Sequence, residues 1–221
     1  MITFDGVSKA YRTREGYKTI VRDVSCEIPD GCNLGILGIN GAGRSTVMRM
    51  IAGVEHPDRG RIRRTARVSF PLGFSGTFAG SLSGRENAIF LARVYGADTK
   101  YVIDYTNDFS ELGDYFDMPV KTYSSGMMAR LAFGVSIAID FDVYLVDEIT
   151  GVGDARFQAR CKDVLTERFR HSDVIMISHD PGTLQQYCNC GAVLIDGQMY
   201  FFDSIEEAGQ AHIAAMNLRS I

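Results

Sequence analysis

Hydrophobic positions along this chain follow three patterns. Unbroken apolar runs at Leu34–Leu37, Val143–Val146 and Val174–Ile177 each stop at a polar or glycine-rich group, and helix-like stretches separate them. Continuous apolar strands alternating with helices indicate a parallel sheet buried on both faces. A second pattern precedes the first run: Ile2–Phe4, Thr19–Val21 and Val24–Ile28 are short strand-like pieces broken by Gly16 and closed by Pro29-Asp30-Gly31, as in an antiparallel sheet. The third has helical spacing: Ala88-Ile89, Leu91-Ala92, Val94-Tyr95, Val102-Ile103 and Tyr105, then Met128, Leu131, Val135 and Ala138 behind a cap at Ser124 or Ser125. The expectation is an α/β chain with an N-terminal antiparallel β subdomain and a helical insert at about 85–130, between the first and the later parallel strands.

The ends of the apolar runs carry the chemistry. After Leu37 comes Gly38-Ile39-Asn40-Gly41-Ala42-Gly43-Arg44-Ser45-Thr46, which leads into a helix predicted over Ser45–Ala52 and stopped by Gly53. Strand, glycine-rich turn and helix in that order are the context of a phosphate-binding loop. A loop that wraps a phosphate aims successive backbone N–H groups inward, at angles that a Cβ obstructs; Gly41 and Gly43 are placed for this. The helix start adds its own N–H groups and its positive dipole end. Ser45 offers a hydroxyl to Mg2+, and Thr46 is placed to contact an inner phosphate. Arg44 stands where the motif has lysine, and a planar fork does not replace a compact ammonium conservatively at a tight site. The same glycines also fit a turn that serves only close packing.

The second run ends on Asp147-Glu148 and the third on Ser178-His179, so three strand ends converge on one edge, where ligands of open α/β sheets bind. Asp147 is suited to hold Mg2+ opposite Ser45. Glu148 is placed to orient or deprotonate an attacking water, and His179 to donate to a terminal phosphate. The plain alternative is that strand-end carboxylates cap the next helix and that the histidine packs.

Composition narrows the partners. The 221 residues are 46% hydrophobic with a formal charge of -4, so the chain is globular and has no general attraction for nucleic acid. Five cysteines without an N-terminal secretory pattern read as reduced, cytosolic thiols, with Cys188-Asn189-Cys190 an incidental pair. The longest mostly apolar run, Leu131–Ile139, falls well short of the roughly 20 residues that span a bilayer; any membrane role is peripheral. Arg59, Arg61, Arg63, Arg64 and Arg67 read as a solvated edge strand rather than a lipid or glycan contact. The apolar stretch from Phe70 to Gly84 either folds onto the core or forms a docking surface. Tyr11 is a packing residue or a platform for a base.

Taken in order, the phosphate loop, Tyr123-Ser124-Ser125-Gly126-Met127, Val143–Glu148, Gly153-Asp154 and Ser178-His179 resemble the nucleotide-binding subunit of an ABC transporter over nearly the whole chain. Phe70–Gly76, Phe109–Tyr115 and Met128–Phe133 bring the resemblance closest to subunits that power export of capsular polysaccharide. It implies a P-loop NTPase with a RecA-like parallel sheet core, residues 1–221 forming one nucleotide-binding domain. It further implies a homodimer around two ATP molecules and Mg2+. Tyr11 then stacks on adenine, and Gly38, Asn40, Gly41, Ala42, Gly43, Arg44, Ser45 and Thr46 hold the phosphates. Ser45 and Asp147 hold the metal, and Glu148 and His179 form the hydrolytic pair. Ser124, Ser125 and Gly126 of one copy reach the γ-phosphate held by the other, and Asp154 lies at the dimer seam. A separate integral-membrane permease handles the polysaccharide, with this subunit at the cytoplasmic face of the inner membrane.

Three features depart from the family pattern: Arg44 for lysine, Tyr123-Ser124-Ser125-Gly126-Met127 for L-S-G-G-Q, and the lack of any glutamine before Gln158. Arg44 also favours a competing role, a nucleotide-binding regulatory subunit with impaired hydrolysis.

Overall fold

The computed structural model describes residues 1–14, 16–72, 78–147, 154–178 and 180–218. The chain forms two compact units: Met1–Pro71, Asp142–Glu148 and Ser172–Ile221 make one, and Leu72–Phe141 with Ile149–His171 the other.

In the first unit, β1 (Ile2–Thr13) and β2 (Gly16–Ile28) pair as one long antiparallel hairpin, and β4 (Arg59–Arg64) joins the other side of β1. The pieces expected within residues 2–28 are thus two continuous strands. Irregular register between Phe4 and Ala10 and a positive φ at Asp23 absorb what reads in sequence as breaks. The second sheet contains β3 (Leu34–Leu37), β5 (Val143–Asp147), β6 (Asp173–Ile177), β7 (Cys190–Ile195) and β8 (Gln198–Phe202), in the order β5-β6-β3-β7-β8. All but β8 run parallel. Their apolar runs are almost wholly buried because neighbours and helices cover both faces.

Helix α1 (Arg44–Ala52) follows β3 and buries Val47, Met48, Met50 and Ile51. These side chains join Phe4, Val7, Ile20 and Val24 of the hairpin and Leu145, Ile177 and Leu194 of the parallel sheet in one cluster. The loop ahead of α1 is therefore anchored from two sheets. Helix α6 (Pro181–Tyr187) follows β6, and α7 (Ile205–Leu218) packs against β7, β3 and β8.

The basic stretch sits on an edge strand, as expected, but only partly in solvent. Arg61 and Arg63 pair with Asp5. Arg64 instead turns inward and donates to the carbonyls of Met50 and Ile51, satisfying the open end of α1. Burial pushes its guanidinium pKa down.

The second unit is helical: α2 (Gly84–Val94), α3 (Thr99–Ser110), two short 3-10 turns, α4 (Ser125–Ala138) and α5 (Ala155–Arg168). Ser83 and Glu86 form a reciprocal cap on α2. Phe109 of α3 stacks on Phe133 of α4 at 5.6 Å and meets Phe157 of α5 edge-on at 5.4 Å. The guanidinium of Arg160 covers the Phe109 ring, and that of Arg130 covers Phe157.

Of the apolar stretch 70–84, Phe70 and Leu72 are buried, which favours folding onto the core at that end; residues 73–77 lie outside the described residues.

The reduced state expected of every cysteine is corrected: Cys32 and Cys190 form a disulfide, their Cα atoms 6.2 Å apart. They meet because β3 and β7 are parallel neighbours, with Leu34 opposite Cys190. Linear spacing gives no sign of this. No helix among the described residues is long and apolar enough to cross a membrane.

Candidate nucleotide site

The loop Gly38–Gly43 leaves the end of β3 and enters α1 as the sequence implied. The Ala42 N–H donates to the Ile39 carbonyl at 3.0 Å, closing a turn. Gly43 is the N-cap of α1 at φ 106°, and a Cβ there would lie 2.3 Å from Ile20 Cγ2. Only glycine fits, because the hairpin presses on the loop from outside and the backbone is left-handed. A glycine cap also leaves the first N–H groups of α1 without a side-chain acceptor. The other helices take one from Ser83, Asp98, Ser124, Asp154, Asp180 and Ser204. Uncapped N–H groups at the positive end of a helix dipole fit an anion.

Around the loop the structure gathers residues from far along the chain. Tyr11, on β1, is 37% exposed, with Lys9 Nζ 5.4 Å from its ring centroid. Its hydroxyl donates to Glu55. Arg49 Nε donates to the same carboxylate at 3.0 Å, and Arg49 Nη2 donates to Thr46 Oγ1, also at 3.0 Å. Thr46 thus accepts from Arg49 and keeps its own proton to donate. Burial by itself raises the Glu55 pKa, but hydrogen bonds from Tyr11, Arg49 and Lys9 outweigh it and hold the carboxyl below its ordinary range.

Arg44, in the lysine position, is only 9% exposed, and its Cδ lies 3.5 Å from the place a Cβ on Gly38 would take. Its charge reaches His212 on α7, whose pKa is lowered first by burial and then by Arg44. A cavity of about 270 Å³ lies beside the loop, lined among others by Lys18, Asn40, Gly41, Ala42, Asp196 and His212.

The three strand ends converge as expected. Asp147 is the last residue of β5, opposite Ile177, and Ser178 follows β6 directly. β6 lies between β5 and β3, so all three end on the edge that carries the loop. Ser45 is half-buried at the start of α1, which packs against β5. Glu148 and His179 lie outside the described residues. Ser45 and Asp147 are hard oxygen donors that fit Mg2+. No group of three or more His, Cys, Asp or Glu that could hold a metal exists among the described residues.

In the second unit, Ser124 caps α4, accepting from Met127 N–H at 3.2 Å, and both Ser124 and Ser125 are exposed. Gly126 follows in the first turn, where the nearest atom to an added Cβ would be Ser124 Oγ at 3.9 Å. Asp154 caps α5 by accepting from Phe157 N–H, which lowers its pKa, and pairs with Arg130 at 3.3 Å. Arg130 also holds Glu111 at 3.2 Å, so the cap of α5 and the end of α3 are tied to α4 through one guanidinium.

Lys18, Arg49, Glu55 and His212 were not legible as site residues. Lys18 falls just ahead of the strand expected from Thr19, so its place opposite Tyr11 had no signal in the sequence.

Residues 21–151 match the ABC transporter family. The chain is 49% identical to the capsule polysaccharide export ATP-binding protein CtrD of Neisseria meningitidis, over 94% of this chain and 96% of that protein. It is 46% identical to the ATP-binding protein BexA of Haemophilus influenzae, over 95% and 97%. A polysialic acid transport ATP-binding protein, KpsT of Escherichia coli, is 44% identical over 94% and 96%. Among solved structures, an ATP-binding subunit of an ABC transporter superposes with a TM-score of 0.74 at 18% identity, covering 96% of this chain and 99% of its own. A dimeric ATP-binding cassette bound to ADP and Pi gives a TM-score of 0.72 at 17% identity, covering 92% and 98%; both show the shared fold.

Proposed function

Because this chain belongs to the ABC transporter family and is an ATPase of that type, we propose that it powers export of capsular or a related lipid-linked polysaccharide across the inner membrane. The permease is a separate integral-membrane protein, and the subunit works at its cytoplasmic face. The observation that carries the reading is near-full-length identity to proteins named for capsule and polysialic acid export. The uncapped, glycine-built start of α1 supports it at the level of chemistry.

In this reading the whole chain acts as one nucleotide-binding domain, with residues of about 85–130 as its helical subdomain. Tyr11 stacks on adenine, while Gly38, Asn40, Gly41, Ala42, Gly43, Arg44 and Thr46 hold the phosphates. Ser45 and Asp147 would hold Mg2+, which would neutralise charge on the phosphates. Glu148 activates the attacking water and His179 donates to the γ-phosphate. Two copies close around two nucleotides, with Ser124, Ser125 and Gly126 of one facing the γ-phosphate on the other and Asp154 at the seam.

The test is hydrolysis of MgATP by the purified chain, with Glu148→Gln beside it. The expected result is measurable turnover, faster in Arg44→Lys, and an ATP-trapped dimer of Glu148→Gln by light scattering. ATP binding with no turnover, alone or with its permease, would instead establish the regulatory role that Arg44 favours. A Glu148→Gln protein that stays monomeric with ATP overturns the dimer.

A further inference from the structure

We propose that Lys18 is a phosphate-contact residue, supplying from the hairpin the compact ammonium that the loop lacks at Arg44. This rests on the reading of Gly38–Thr46 as the ATP cradle and adds to it a residue from outside the motif.

Three observations converge on it. The first is position. Lys18 Nζ lies 3.4 Å from where a Cβ on Gly41 would stand, so the ammonium is held directly against the loop. Lys18 is also the cross-strand partner of Tyr11, which puts the aromatic ring and the ammonium side by side on one face of the hairpin. A nucleotide whose base lies on that ring extends its phosphates toward the loop and passes the lysine.

The second is the state of Arg44. Its side chain is packed into the fold, 9% exposed, with its methylenes against Gly38 and its charge acting on His212 of α7. A guanidinium is wider than an ammonium and cannot rotate its donors around a point. Packed at the base of the loop, it is poorly placed to follow a phosphate as it gains charge.

The third is the absence of a competing partner. Among the described residues no carboxylate pairs with Lys18, which is exposed beside the 270 Å³ cavity. Lys9, on the neighbouring strand, is by contrast held by Glu55 and Asp58. A flexible four-carbon stem with an unengaged ammonium at a phosphate loop is free to make a charge-assisted hydrogen bond, about twice as strong as a neutral one.

The experiment compares binding of AMP, ADP and ATP, with Mg2+, to four full-length proteins: wild type, Lys18→Gln, Arg44→Lys and the double variant. Lys18→Gln is expected to weaken ATP and ADP by about tenfold, as for loss of one hydrogen bond to a charged group, and to leave AMP within twofold. In the Arg44→Lys background the same change is expected to cost less than threefold, because a lysine in the loop then does that work. Equal loss in both backgrounds, equal loss for AMP, or no loss for ATP overturns the proposal. Gly43→Val separates the two readings. If it abolishes ATP binding while Lys18→Gln does not weaken it, only the role of Lys18 falls. If Gly43→Val binds ATP like wild type, the cradle and the lysine fall together.

Discussion

The hydroxyl of Tyr11 donates to the carboxylate of Glu55, which also receives Arg49 Nε at 3.0 Å, so a ring on the N-terminal hairpin is tied to the end of the helix that starts at the phosphate loop. The tie separates two jobs of one side chain. Tyr11→Phe keeps the ring and loses the hydrogen bond; it should cost about 1 kcal/mol of stability and leave ATP affinity within twofold. Tyr11→Ala should also weaken ATP, by an amount comparable to the ~1–3 kcal/mol of a base stack. Thermal melts and nucleotide titrations of the two variants check this.

Gly43→Ala should destabilise the chain and impair ATP binding together. The new methyl meets Ile20 Cγ2 at 2.3 Å in a left-handed backbone, and alanine at positive φ costs more than about 1 kcal/mol. A fall in melting midpoint of at least about 2–4 °C follows for a protein of this size. Calorimetry with and without ATP reads both effects.

His212 should make stability fall on mild acidification. Burial, and then the charge of Arg44, hold its folded pKa below the ordinary 6.5. The neutral imidazole therefore stabilises the fold fully above pH 6.5, and that contribution is lost as pH falls through the lower folded value. Melts between pH 7.5 and 5.5 should show a slope that His212→Gln reduces. Replacing Arg44 by glutamine should raise the His212 pKa, read by NMR.

The cysteines should divide into two groups. Burial pushes the thiols of Cys26, Cys161 and Cys188 up to about 12, so alkylation of the native protein at pH 8 should be slow at all three. Peptide mapping without reductant should recover Cys32 linked to Cys190. Rapid labelling of the three in the folded state contradicts the burial.

Much of the site was legible because its chemistry is local. A buried strand, a glycine turn and a helix start are consecutive in sequence, so the turn at Gly38–Gly43 between β3 and α1 followed from local pattern alone. Asp147 was legible for the same reason, since a carboxylate that closes an apolar strand must stand at the sheet edge. Ser124 read as a residue that opens a helix, and it caps one; that Asp154 caps α5 came only from the structure. The edge position of β4 followed from its alternating arginines.

What required the tertiary structure was every relationship between residues remote in the chain. Arg64 turned inward because α1 leaves carbonyls open behind it; strand alternation puts it on the face of Ile62, opposite Arg63, but does not show what it would meet there. Cys32 met Cys190 because β3 and β7 are neighbours in a sheet whose strand order differs from chain order.

The sequence by itself determined the α/β pattern, the glycine-built turn ahead of α1 and the family, because each is written in side-chain periodicity or in the backbone freedom of adjacent residues. Only the folded chain decided that Lys18 stands over Gly41, that Arg44 is buried against Gly38 with its charge lowering the His212 pKa, and that Glu55 joins Tyr11 to Arg49. Strand pairing and helix packing bring those groups within ångströms of each other, and such distances are properties of the assembled sheets, not of any one segment.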